Sequence, residues 1–146
     1  MTHPMTTTTA TPSRAAHYGL VAVRVLMGLA FFVFGLDGFV HFFPAPDPGS
    51  MPAGASALSS AFAASGYLMK LVKGTELVVG ALLLANRFVP LALILLAPVT
   101  VNIVLFHAFL APSGVGLGLV LVVLQLLLAY QHRAAYAPLF RAGAAS

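Results

Sequence analysis

The amino-acid sequence predicts an all-α transmembrane four-helix bundle, and three observations carry that prediction. The 146-residue chain is 60% hydrophobic and 7% charged, with a mean hydropathy of +1.01. Soluble domains carry roughly 25% charged residues, so there are too few polar groups here to clothe a water-soluble globule. The apolar residues gather into four runs, each long enough to cross ~30 Å of hydrocarbon. Pro, Gly and Asn-Arg breaks fall between those runs. Helices follow because backbone facing lipid must satisfy its own hydrogen bonds.

Each element has a local reason. Residues 1–16 form a Thr- and Pro-rich N-terminal tail that is expected to be disordered. The first span covers about 17–43 and stops at Pro44, where Pro-Ala-Pro-Asp-Pro-Gly cannot continue a helix. The Pro-, Gly- and Ser-rich connection that follows holds one stretch, Ala55 to Ala64, suited to a short interfacial helix. The second span covers about 66–85 and closes at the polar hairpin Asn86-Arg87. The third covers about 88–111, with Pro90 tolerated in its first turn and Pro98 predicting a kink. The fourth, about 115–131, is nearly pure Leu and Val, and 134–146 make a C-terminal tail. The apolar run after Arg14 is too long for a signal peptide and reads as a retained span.

Charge gives an orientation. Arg14, Arg87, Arg133 and Arg141 share one side if the chain crosses four times, which places both termini in the cytoplasm of a bacterial inner membrane. Lys70 and Lys73 oppose this weakly, since both can snorkel to the outer interface. The pI of about 10.0 does not point to nucleic acid, because no basic stripe exists. Cysteine is absent, which excludes a thiol redox centre. Gly28, Gly35, Gly38, Gly74 and Gly80 allow close helix approach.

The polar residues inside the spans are the functional signal, because an ionisable group in hydrocarbon costs at least ~2.5 kcal/mol. Asp37 and His41 lie on the first span, Lys73 and Glu76 on the second, Asn102 and His107 on the third. At ~1.5 Å per residue, all six fall in the outer half of the bilayer. Asp37 with His41 (i,i+4) and Lys73 with Glu76 (i,i+3) each share a helix face. One buried cluster is the simplest arrangement, with Asp37–Lys73 as its natural ion pair and Glu76–Asn102 as a deeper hydrogen bond. Such a cluster could be structural glue, or it could receive a polar headgroup such as quinone from the membrane. In the second case Glu76 and His107 are the candidate proton-handling, catalytic residues, and Asp37, His41, Lys73 and Asn102 the candidate cofactor contacts. No HxxxH or ExxH pair is present, so no metal site is assigned. Arg24 sits nearer the cytoplasmic side and can snorkel or meet a lipid phosphate.

Arg24-Val-Leu-Met-Gly28, Phe34-Gly35-Leu-Asp37-Gly38-Phe39 and the run from Glu76 through Gly80 to Asn86-Arg87-Phe88 resemble the DoxX family of small bacterial membrane proteins. Val101-Asn102-Ile103 and Phe106-His107 are similar to the same pattern. The resemblance covers roughly Arg24 to Arg133. It implies a four-helix membrane bundle working beside an oxidoreductase, with thiosulfate:quinone oxidoreductase as one setting. Arg24, Glu76, Asn86, Arg87, Asn102 and His107 carry the family's polar pattern. The expected function is a quinone-interacting or membrane-anchoring subunit of an oxidoreductase system. A non-catalytic anchor for a partner enzyme and a small-solute or proton pathway stand as alternatives. Quinone is the cofactor that fits; the lipid bilayer and an oxidoreductase subunit are the expected partners, nucleic acid is not, and a homo-oligomer is left open.

Overall fold

The structure, a computed structural model, describes residues 14–44, 47 and 49–140. Every regular element among them is helical. Helix α1 spans Arg14–Val40, α2 Ala53–Ala64, α3 Leu68–Leu84, α4 Val89–Phe109 and α5 Val115–Gln131. A 3-10 turn at Pro112–Gly114 joins α4 to α5, and a short α6, Arg133–Tyr136, runs into a last 3-10 turn, Ala137–Phe140. Three helical stretches are long and apolar enough to cross a membrane: Arg14–Val40, Val89–Phe109 and Pro112–Gln131. The remaining long helix, α3, has 17 residues and carries Lys70, Lys73 and Glu76.

The expected boundaries shift at both ends of the first span. Arg14 to Ala16, placed in the tail, form the first turn of α1, because nothing in Arg-Ala-Ala opposes a helix. Residues 1–13 and 141–146 of the two tails lie outside the described residues. At the other end α1 stops at Val40 and not at Phe43. His41 takes the left-handed conformation, φ 56°, that ends many helices, and its N–H donates to the Asp37 carbonyl at 2.8 Å. Asp37 Oδ1 then accepts the Phe43 N–H at 2.8 Å and holds the turn. Phe43 is thereby brought against Phe34, ring centroids 5.7 Å apart.

The four long helices close a ring: α1 on α3, α3 on α4, α4 on α5 and α5 on α1, with α1 and α3 packed most extensively. Glycine sets that first contact. A Cβ on Gly35 would collide with the Leu77 backbone, and one on Gly80 with the Phe32 backbone, so the two helices touch main chain to main chain. Gly38 likewise makes room for the stem of Lys73, and Gly28 for Leu83 and Leu84, whereas Gly74 faces only a distant Phe39 ring.

The core sits in the half of the bundle nearer the Asn86 turn and is formed by Met27 and Phe31, Val79 and Leu83, Val89, Ala92, Leu93 and Leu96, and Leu128. Around it the surface is apolar. Leu26, Leu71, Val78, Val101, Leu117 and Leu126 are all more than half exposed. No more than 28% of any spanning window is buried. An apolar belt of that extent is a surface for lipid, not water. Two of the three buried polar side chains close on the backbone. Gln125 Nε2 donates to the Leu93 carbonyl at 2.9 Å, tying α5 to α4, and Thr100 Oγ1 donates back to Leu96 at 3.2 Å. α4 runs unbroken through Pro98.

Candidate functional site

The site is built from one short stripe on each helix of the ring. Ala30 and Phe34 on α1, Lys73 and Glu76 on α3, Ile103 and His107 on α4, and Leu117 and Leu121 on α5 line a cavity of about 290 Å³ together with Phe31. Each pair is spaced i,i+3 or i,i+4, the interval that stacks two side chains on one helix face. Four separate faces therefore converge on one space beside the apolar core.

Glu76 is its most enclosed charge, with 6% of its surface exposed. Lys73 Nζ donates to Glu76 Oε2 at 2.8 Å. The ion pair lies within one helix and crosses no helix–helix boundary. The pair holds two charges at the cavity wall, while the stem of Lys73 packs against Gly38 of α1.

His107 enters from α4. Its Nδ1 lies 3.1 Å from the Ala111 carbonyl, which can only accept, so Nδ1 carries the proton and Nε2 is the basic nitrogen. Phe106 meets the imidazole edge-on, centroids 5.4 Å apart. A Cβ on Gly114 would overlap the ring, so the glycine of the Pro112–Gly114 turn fixes where the imidazole rests.

Of the six candidates, the structure brings together Lys73, Glu76 and His107. The expected Asp37–Lys73 ion pair does not form, because Asp37 is occupied with the Phe43 N–H and Lys73 turns along its own helix to Glu76. Asp37 reaches the site only indirectly, through Phe43 and then Phe34. The expected Glu76–Asn102 hydrogen bond is also absent: Asn102 is exposed on the outer surface of α4, because it lies five positions from His107 and a helix turns through 3.6 per revolution. His41 is exposed at the left-handed turn beyond α1. The apolar walls, Ala30, Phe34, Leu117 and Leu121, were missed in the sequence, although their i,i+4 spacing toward the same bilayer depth was the available signal.

Along every helix the apolar core lies between this cavity and the opposite end. On α1 the order is Arg24, Met27, Phe31, Phe34; on α3 it is Asn86, Leu83, Val79, Glu76. The cavity therefore lies toward the end of the ring away from Arg24, with Phe34 and Leu117 of its lining more than half exposed. Its lining carries one ammonium, one carboxylate and one imidazole on an otherwise hydrocarbon wall. Among the described residues no three His, Cys, Asp or Glu side chains gather as a metal would require. Compared with family models, with curated proteins and with solved structures, the chain matches none.

Proposed function

We propose that the chain is a DoxX-like integral protein of a bacterial inner membrane and that its recess receives the headgroup of a quinone. In this reading all four long helices cross the bilayer, α3 with Lys70 and Lys73 snorkelling, and both termini lie in the cytoplasm. The protein then serves an oxidoreductase system as its quinone-facing membrane subunit. One observation carries the reading: Lys73, Glu76 and His107 share a single cavity walled by Phe34, Phe31, Leu117 and Leu121. At about 290 Å³ the space is at the small end of ligand pockets, sized for a headgroup whose isoprenoid tail remains in lipid.

A quinone supplies two carbonyl acceptors and a flat ring. Lys73 is a donor for a carbonyl. His107, with Nδ1 engaged, presents Nε2 for a proton exchanged with a quinol hydroxyl. Phe34 offers an aromatic face, and Glu76 balances the lysine charge so that the site is neutral when empty or filled. A solute or proton pathway is poorly supported, because a continuous apolar core separates the recess from the polar groups at the other end. The anchoring role remains as the second reading. α2, exposed on most of its surface, is then the docking element.

The test is binding of a short-chain benzoquinone to the full chain in lipid nanodiscs. Glu76→Gln, which leaves the Lys73 charge unbalanced, and His107→Ala, which removes the Nε2 contact, should each weaken it by about tenfold, ~1.4 kcal/mol, with helix content unchanged. Wild-type protein that retains and binds no quinone would overturn the headgroup reading and leave the anchor.

A further inference from the structure

A second polar cavity lies at the opposite end of the ring. His17 and Arg24 of α1, Asn86 of the α3–α4 turn, and Gln131 and His132 at the end of α5 enclose about 210 Å³. Arg24 is half-buried there. It donates from one nitrogen to the Leu83 carbonyl near the end of α3. That bond uses one of the five N–H donors of a guanidinium fork.

Among the described residues no acid lies beside the charge of Arg24. The chain contains three acids, Asp37, Asp47 and Glu76. Asp37 and Asp47 lie at and beyond the far end of α1, and Glu76 is held by Lys73 on the other side of the apolar core. Helix dipoles do not fill the gap. α3 and α5 end here while α1 and α4 begin here, so their terminal half-charges cancel in pairs. Arg14, Arg87 and Arg133 add further positive charge at the same end. A partly buried cation in a polar cavity, with no acid beside it among the described residues, favours an anion there.

The surroundings name the anion's chemistry. The cavity opens onto a groove of about 430 Å³ that shares His17, Leu20 and Gln131 with it and continues over Leu127 and Tyr130 to Arg133. Arg133 stacks over the Tyr130 ring at 4.6 Å. A polar, cationic chamber joined to an apolar groove at the end of a lipid-facing bundle matches a phosphate with an acyl chain attached.

We propose that the Arg24 cavity binds a phosphate group of net negative charge, the headgroup phosphodiester of an anionic phospholipid with its chain in the adjoining groove. The fork of Arg24 takes the phosphate oxygens, as guanidinium does bidentately, and Asn86 and Gln131 add amide donors. This inference does not depend on what fills the recess at the other end.

The test uses the full chain in mild detergent. Retention and thermal protection are measured with phosphatidylglycerol, with phosphatidylcholine of the same acyl chains, and with inorganic phosphate. Phosphatidylglycerol should bind at least about fivefold tighter than phosphatidylcholine, the worth of one cation facing an anionic headgroup. Arg24→Gln should erase the difference. Gln131→Leu and His17→Leu, which leave the Arg24–Leu83 bond intact, should weaken phosphatidylglycerol binding severalfold even if Arg24→Gln folds poorly. Protection by inorganic phosphate alone at equal concentration would keep the anion site and assign it to a soluble phosphate. Equal binding of both lipids with no phosphate effect, or undiminished phosphatidylglycerol binding in Gln131→Leu and His17→Leu, would overturn it.

Discussion

At the residue scale, the sharpest statements concern backbone approach. Gly80 and Gly35 bring α3 and α1 into main-chain contact, so a single methyl has nowhere to go. Gly80→Ala should cost about 2–3 kcal/mol, as overpacking of a rigid contact does, and lower the melting temperature in detergent. Gly19→Ala is the matched control: its added Cβ would meet nothing within 4 Å, and removing a helical glycine should be neutral or gain up to ~1 kcal/mol. Equal melting temperatures for the two variants would mean that α1 and α3 are not packed on these glycines. Phe88 makes a second residue-scale case. It is exposed and left-handed, φ 52°, where an aromatic residue is strained. Phe88→Gly should therefore stabilise the α3–α4 turn by about 1 kcal/mol, measured by the same melting curves, unless the ring anchors at the membrane interface.

At the scale of elements, α4 and α5 are joined by one directional bond. Both helices are apolar nearly all round, so ridge packing alone sets their register only loosely. Gln125 fixes it by donating to the Leu93 carbonyl at 2.9 Å. Gln125→Leu should cost about 0.6–1.7 kcal/mol, the range of such bonds inside membranes, seen as earlier unfolding in denaturant with the helices retained. The same bond shows where sequence reading reaches its limit. Helix positions were legible because Pro44, Asn86-Arg87 and Pro112 break the chain where hydrocarbon must end. Pairing was not legible, because Asp37, Lys73 and Glu76 offer several combinations of opposite charge, and rotation about each helix axis decides between them. A long lysine can also turn to its own helix, as Lys73 does. Asn102 and His107 fall in the same half of the bilayer yet on different faces, a distinction that depth arithmetic on single residues does not make.

At the scale of the whole molecule, charge is divided between two ends. The acids and both lysines lie toward the end bearing Phe43 and α2, and Arg14, Arg24, Arg87 and Arg133 toward the end bearing the Asn86 turn. The arginine end should face the cytoplasm, because positive residues near span ends are retained on that side. The chain has no cysteine, so single substitutions make unambiguous reporters. Ser60→Cys, exposed on α2, and Ala85→Cys, exposed after α3, should answer oppositely to a membrane-impermeant maleimide. In intact bacterial cells the Ser60 position should label within minutes and the Ala85 position only after permeabilisation. An α3 that merely lay along the membrane would bring both positions to one side and give them the same response. The experiment therefore decides in one comparison whether α3 crosses and which end of the bundle meets the outside. It also fixes the leaflet that each cavity serves: the outer one for the Glu76 recess, the inner one for the Arg24 chamber. An inverted pattern would exchange those leaflets and leave the packing of the helices untouched.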